Sequence, residues 1–398
     1  MASSSNYVKC GICQNSQWNI LAALKSGVWN TESIEISRIN IDFNIGKCIN
    51  CNHVQITNHY TNDIFKILYF SNNIEPDMWC DFTLECSPYL QMYEFINEHL
   101  REGLHIADFG AGSGTTLKLI NEKVNSSVLT SIDFHNHTQS ESITHITADL
   151  NNLCEISSFF TSNPINIAIS THVLEHIVNP IEYLSNIANY LDDEGLIFIE
   201  VPNCSPKINV KNIAATNIVH GQHIHYYTLA SLDMIAHLAG LKIIKSNQLI
   251  TGNIPRLQVL LKKCTRKHYS RKVITPCSDI LVIDRFTQYT KHLTNLYNLI
   301  ISSLKNNKVV HLWGVGGDFY NLVSSHRDLN QYIESKSILL YDYNLANHQF
   351  LGQKILSSTV FEENTFEVIL TPTYDPTKER MKKVARDWSS TIIDPYEL

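Results

Sequence analysis

LHIADFGAGSGTTLKLI, residues 104–120, reads as a buried strand that runs into a glycine turn and leaves it as a helix. Asp108-Phe-Gly110-Ala-Gly112-Ser-Gly114 forms the junction. Glycine lets backbone take conformations closed to other residues and approach a flat ligand closely. A dinucleotide site asks for G-x-G-x-x-G, and in that register Thr115 stands at the third position. The form present, D-x-G-x-G-x-G, suits a ligand without a pyrophosphate. Asp133 ends the next strand, 19 residues after Gly114, where a carboxylate accepts from both hydroxyls of a ribose. Asp149, at the end of the strand after that, is expected to meet an adenine amine.

Outward from this turn, strands and helices alternate. SVLTSID, ITHITADL, INIAIST and GLIFIEVPN read as strands, and TTLKLINEKV and NPIEYLSNIANYLD as helices between them. YLQMYEFINEHL before the turn has apolar positions at helical spacing. The alternation predicts a parallel sheet covered on both faces. The helix LASLDMIAHLAG and the strands LKIIKSNQLI and RLQVLLKK follow, and the last two predict an antiparallel finish. This unit is assigned residues 76–265.

Two further segments flank it. Residues 1–75 hold Cys10-Gly-Ile-Cys13, a strand-like alternation ISRINIDFNI, and Cys48-Ile-Asn-Cys51. Two C-x-x-C knuckles separated by 34 residues are a zinc signal. Each knuckle turns two thiolates toward one tetrahedral ion, and four thiolates close it to water, which makes the site structural. The module is small, so the metal is expected to supply much of its stability. His53 reads as an ordinary surface histidine. Residues 266–398 open with a helix at about 278–305. KVVHLWGVGGDFYNLV then repeats the strand, glycine turn and helix, and ILLYDYN and FEVILTPT add short buried strands. This is a second, smaller α/β unit, and Gly314, Gly316 and Gly317 carry no assigned ligand.

Composition narrows the classes. The chain has 398 residues, 44% of them apolar, with a formal charge of −7 and no basic stripe, so a polynucleotide is not the expected partner. No run reaches the roughly 20 apolar residues of a membrane span, and MASSSNYVKC lacks the apolar core of a signal peptide. A cytoplasmic monomer or small homo-oligomer acting on a small molecule is expected.

Residues 106–203 resemble the class I S-adenosylmethionine-dependent methyltransferases, with THVLEHIVNPIEYLSNIANYLDDEGLIFIEVPN similar to their fourth-strand to fifth-strand region. The whole chain resembles a narrower group, the three-domain C-methyltransferases of nucleotide-linked deoxysugars. CINCNHVQ matches the end of their four-cysteine zinc module. HLWGVGGDFYNLV and Asp342-Tyr-Asn344 match their C-terminal α/β domain. The resemblance implies a Rossmann-like methyltransferase core, with S-adenosylmethionine held by Asp108, Gly110, Gly112, Gly114, Asp133 and Asp149. It implies structural zinc on Cys10, Cys13, Cys48 and Cys51.

Five histidines fall on two loops at the carboxyl ends of the strands, where open sheets bind ligands. His172 and His176 follow the fourth strand of the unit, and His220, His223 and His225 follow the fifth. His172-Val-Leu-Glu175-His176 fits the H-x-x-E-H zinc-peptidase pattern, but it follows a strand of a different fold and has no third ligand. His172 therefore reads as a satisfied loop residue. The group's reaction removes a proton next to a ketone, and the enolate attacks the sulfonium methyl group. Histidine titrates near neutrality and suits the base, and the enolate oxygen needs donors. The resemblance places the base on His223 and a second active-site histidine on His176. His220 stands where the group has tyrosine, and Gln222 where it has glutamate. A further tyrosine of the group has a candidate in Tyr69. His225 and Arg256 are expected to contact substrate, although Arg256 is equally suited to closing its turn. Two alternatives stay open: an O- or N-methyltransferase acting on another small nucleotide-linked metabolite, and a non-catalytic S-adenosylmethionine-binding protein.

Overall fold

The structure is a computed structural model and describes residues 8–30, 33–65, 87–124, 128–138, 140–205, 219, 221–249, 254–264, 278–373 and 375–397. His220 and Tyr69 lie outside the described residues.

The middle of the chain is built on a seven-stranded sheet. Its strands are β4 (His105–Phe109), β5 (Val128–Asp133), β6 (Ile143–Thr147), β7 (Ile165–Thr171), β8 (Leu191–Pro202), β10 (Leu241–Leu249) and β11 (Arg256–Lys263). Their order is β10-β11-β8-β7-β4-β5-β6. β6, β5, β4, β7 and β8 run parallel, whereas β11 is antiparallel to both β8 and β10. This is the expected parallel sheet with an antiparallel finish. The chain leaves β4 toward β5 and β6 and returns on its other side as β7. That reversal opens a crevice at the end of β4, where the glycine turn lies.

Strand alternation assigns the two faces. Ile106 and Phe198 pack with Met92, Phe95 and Ile96 of helix α1 (Pro88–Ile96) and with Leu117 and Ile120 of α2 (Thr115–Lys123). Ala107, Phe109, Ile197 and Ile199 pack on the opposite face with α3 (Pro180–Tyr190) and α4 (Leu229–Leu238). α3 starts where its sequence dictates, with Pro180 in the first turn and the Asn179 side chain accepting from the Glu182 N–H. α4 opens on a capping box between Thr228 and Ser231.

The N-terminal sheet departs from expectation. The stretch after the first knuckle is a long strand, β1 (Trp18–Asn30), paired antiparallel with β2 (Ser37–Cys48). β3 (Val54–Ile56) follows, and the fourth strand is supplied by β9 (His225–Tyr226), from the segment after β8 of the methyltransferase unit. The sheet is therefore not self-contained. Nor does the metal alone have to hold it. Leu24, Phe43, Ile45, Val54 and Ile56 share one apolar core with Tyr289 and Leu293 of α5 (Asp279–Lys305) and Phe319 and Tyr320 further on.

The last unit is a five-stranded, all-parallel sheet. Its strands β12 (Val310–Trp313), β13 (Ile338–Asp342), β14 (Leu356–Ser357), β15 (Glu367–Leu370) and β16 (Thr391–Ile393) stand in the order β14-β13-β12-β15-β16. Helix α6 (Gly317–Ser325) follows its glycine turn. No helix among the described residues is long and apolar enough to cross a membrane.

Candidate active site

Gly110, Gly112 and Gly114 take φ of +83°, +51° and +72°, a region that favours glycine. The space around them differs. A Cβ on Gly110 would lie 2.3 Å from Val173 Cγ2, and one on Gly114 would lie 2.7 Å from Thr138 Cγ2. A Cβ on Gly112 would meet no atom of the described residues within 4 Å. Gly112 thus lines an open crevice, and its N–H donates to Asp133 Oδ2 at 2.9 Å. The Phe134 N–H donates to Asp133 Oδ1 at 2.7 Å, so the carboxylate is fixed at the end of β5 with lone pairs to spare.

Asp108 is buried below the turn, and its Oδ1 has no hydrogen-bond partner. Burial, with the charge of Asp133 nearby, pushes its carboxyl up to about 8. An orphaned buried acid and an open glycine cradle fit a cationic, ribose-bearing ligand such as S-adenosylmethionine. Asp149 lies past the end of β6, exposed, with Oδ1 accepting from the Asn151 N–H at 2.8 Å.

The histidines gather beside this crevice around two acids. Val173, which closes over Gly110, begins the loop that carries Glu175 and His176. Glu175 Oε1 lies 3.3 Å from His172 Nδ1, 3.8 Å from His176 Nε2 and 4.0 Å from His223 Nε2. The His176 and His223 rings are 5.1 Å apart. His176 Nδ1–H donates to the Gln222 carbonyl at 2.8 Å, which leaves Nε2 facing the acid. His172 Nε2 lies 3.3 Å from Glu200 Oε1. Burial disfavours the His172 cation, but Glu175 and Glu200 outweigh it and raise the imidazole to about 9. Burial also works against the Glu200 carboxylate, and His172, Arg256 and Gln258 hold it below its usual value.

Two residues expected to contact substrate are engaged within the protein. Arg256 is buried, with Nη1 at 3.4 Å from Glu200 and Nη2 bonded to Gln91. A guanidinium engaged by a buried carboxylate is not presented to a diphosphate. His225 is buried under the first knuckle, with Nδ1 at 3.0 Å from His53 Nε2. A Cβ on Gly11 would lie 2.5 Å from its ring. His53 is itself fully buried rather than on the surface. It stacks on His225 and Tyr227, with ring centroids 5.2 and 5.8 Å away.

The four knuckle cysteines do converge. Cys10 and Cys51 sulfurs are 3.5 Å apart, as are Cys13 and Cys48, and all four lie within 4.8 Å of one another. Tetrahedral thiolates on an ion with bonds of about 2.3 Å stand about 3.8 Å apart, so the donor set fits such a cation.

Glu175 and Glu200 had no assigned role. Glu175 is visible in the sequence only as the acid of the H-x-x-E-H pattern. Glu200 left a legible trace, an acid within the otherwise apolar run IFIEVP.

Residues 76–246 match the family model described as a methyltransferase domain. No curated protein matches the chain. Among solved structures, the chain is similar to 1,6-didemethyltoxoflavin-N1-methyltransferase of Burkholderia thailandensis. The identity is 13% and the TM-score 0.37, over 54% of this chain and 97% of that one. An S-adenosylmethionine-dependent methyltransferase from Clostridium acetobutylicum is 11% identical with a TM-score of 0.36, over 47% of this chain and 96% of that one. The match thus identifies residues 76–246, at the centre of the chain, as an S-adenosylmethionine-dependent methyltransferase domain.

Proposed function

We propose that the protein methylates a carbon next to a ketone in a nucleotide-linked deoxysugar, and that zinc occupies its four-cysteine site. The observation that carries the reading is the pairing of His176 and His223 beside the glycine turn, with a buried acid behind both rings. The resemblance assigns the base to the position of His223 and a second active-site histidine to that of His176. The flanking cysteine module and C-terminal α/β unit support a sugar nucleotide as acceptor.

S-adenosylmethionine, when bound, supplies the electrophilic methyl group. Asp133 would accept from its ribose, and Gly112 leaves room for its approach. His223 takes the α-proton of the ketosugar, with His176 and Gln222 holding the enolate oxygen. His220 would complete the same loop. The loop is tightly held. Ile224 N–H donates to the Glu175 carbonyl at 2.8 Å, and Ile56 N–H donates to the Ile224 carbonyl at 2.8 Å.

A panel of nucleotide-linked 4-ketosugars tests the reading in two assays, methyl transfer and exchange of the α-hydrogen into deuterium oxide without cofactor. Exchange that needs His223 is expected. Methyl transfer to a hydroxyl or amine without such exchange would overturn the carbon acceptor. A metal assay is expected to find one zinc per chain, lost when Cys48 and Cys51 are replaced by serine.

A further inference from the structure

Glu175 is buried, at 1% exposure, and among the described residues its carboxylate makes no well-aligned hydrogen bond beyond the ion-pair contact with His172 at 3.3 Å. A buried carboxylate is costly unless opposite charge compensates it. Resting on the carbon-methylation reading above, we propose that Glu175 is the positioning residue for His223. Its carboxylate orients the imidazole and stabilises the cation formed when that ring takes the substrate proton.

The surroundings of Glu175 carry this role. A buried chain of alternating charge stands behind it. Arg256 meets Glu200 at 3.4 Å, Glu200 meets His172 at 3.3 Å, and His172 meets Glu175 at 3.3 Å. Formal charges cancel along Arg256, Glu200, a protonated His172 and Glu175. The next proton, on His223 or His176, therefore arrives beside an anion that already has a fixed place. His172 takes φ +53° to complete the chain, a conformation non-glycine residues adopt at a cost and retain most often at functional sites.

The same residue holds the loop twice. Its backbone carbonyl accepts the Ile224 N–H at 2.8 Å, and its carboxylate lies 4.0 Å from the ring of the preceding residue, His223. Position 222 holds neutral glutamine, so the anion comes from the opposite loop. Among the described residues, Tyr183, Tyr227 and Cys204 are further titratable groups near Glu175. Burial keeps all three protonated, so none of them adds a second negative charge beside the two rings.

The test uses the full-length, zinc-loaded protein and the variants Glu175→Gln and Glu175→Asp. The His223 imidazole is followed by nitrogen-15 NMR, with His223→Asn for assignment. An opposite charge within about 4–6 Å raises an imidazole by about 1 unit or more. Glu175→Gln is therefore expected to titrate at least about 1 unit lower than wild type, and Glu175→Asp between the two. In turnover, Glu175→Gln is expected to lose about 100-fold in kcat. Its acid limb should move to lower pH, with an unchanged KM for S-adenosylmethionine. An unshifted His223 titration in Glu175→Gln would overturn the proposal. So would a second bound zinc that only this variant loses, because Glu175 would then be a metal ligand. Failure of the carbon-methylation reading looks different: wild type gives no α-exchange with any ketosugar, while the titration still decides the role of Glu175.

Discussion

His53 Nε2 and His225 Nδ1 lie 3.0 Å apart in a buried contact that ties the second cysteine knuckle to the loop carrying His223. His53 is two residues from Cys51, and His225 two residues from His223. Gly11 of the first knuckle caps the His225 ring, and β3 pairs with β9 at Val54–Tyr226 and Gln55–His225. The cysteine site and the proposed base are thus separated by a few packed side chains.

Metal removal should act along this line. Chelation frees four crowded thiols and loosens both knuckles, while the distal half of the β1–β2 hairpin stays packed on the C-terminal unit. Hydrogen exchange should rise at residues 8–17, 48–57 and 221–227 and remain low in α5. Methyl transfer should fall with the exchange at 221–227. Loss of protection throughout residues 8–57, α5 included, would show a metal that holds the whole sheet.

The imidazoles give the protein two opposed pH limbs. Burial lowers His225 to about 4, below its ordinary 6.5. The stability this neutral ring contributes is complete above 6.5 and is lost as pH falls from 6.5 through about 4. His172 is raised to about 9 against burial by Glu175 and Glu200. Its contribution is complete below 6.5 and is lost as pH rises from 6.5 through about 9. Each limb is worth up to roughly 3 kcal/mol. The buried Asp108 carboxyl, raised from 3.8 to about 8, opposes the His225 limb below pH 6.5 and adds to the decline above it. Thermal melting should therefore fall most steeply between about pH 6.5 and 8, and His172→Asn should make that fall shallower. An alkaline limb unchanged in that variant would show that His172 does not carry it.

The glycine turn separates packing from binding. Gly110→Ala places a methyl group 2.3 Å from Val173 Cγ2 at φ +83°. It should cost the left-handed penalty of about 1–2 kcal/mol plus repacking. Val173→Ala should recover the repacking part. Gly112→Ala carries a similar backbone penalty at φ +51° but meets no atom of the described residues within 4 Å. Its melting temperature should fall less, yet calorimetry should show much weaker S-adenosylmethionine binding. A binding loss that follows stability, larger in Gly110→Ala than in Gly112→Ala, would place the ligand elsewhere.

Local patterns made much of this legible in the sequence. The glycine turn, the acid at the end of β5 and the four cysteines are chemistry at short spacing, and the chain reports them directly. What stayed hidden depends on distant segments meeting. Nothing near His225 announces that β3 will pair with it, and nothing near His53 announces burial. Arg256 reads as a free cation until Glu200, 56 residues away, is placed beside it. Glu175 shows why a familiar pattern misleads. H-x-x-E-H spacing brought His172, Glu175 and His176 together as it would on a helix, but the segment is a short turn after β7, so the third histidine arrives from another loop.

Phe43 offers the sharpest check on whether the three units work as one. Its side chain is fully buried and stacks on Tyr60, with ring centroids 5.6 Å apart. A Cβ on Gly221 would lie 2.5 Å from its ring, and the Tyr60 hydroxyl donates to the Gly221 carbonyl. Phe43 also belongs to the core shared with Phe319 and Tyr320. Phe43→Ala should therefore cost about 3–5 kcal/mol and also loosen the start of the His223 loop. The half-buried ion pair of Lys47 with Asp279 at 2.8 Å should matter less, with Lys47→Ala costing about 1 kcal/mol. Melting curves and methyl transfer at low temperature, where Phe43→Ala remains folded, separate the two effects. A folded Phe43→Ala protein with wild-type turnover would show that the N-terminal sheet shapes the fold but not the base.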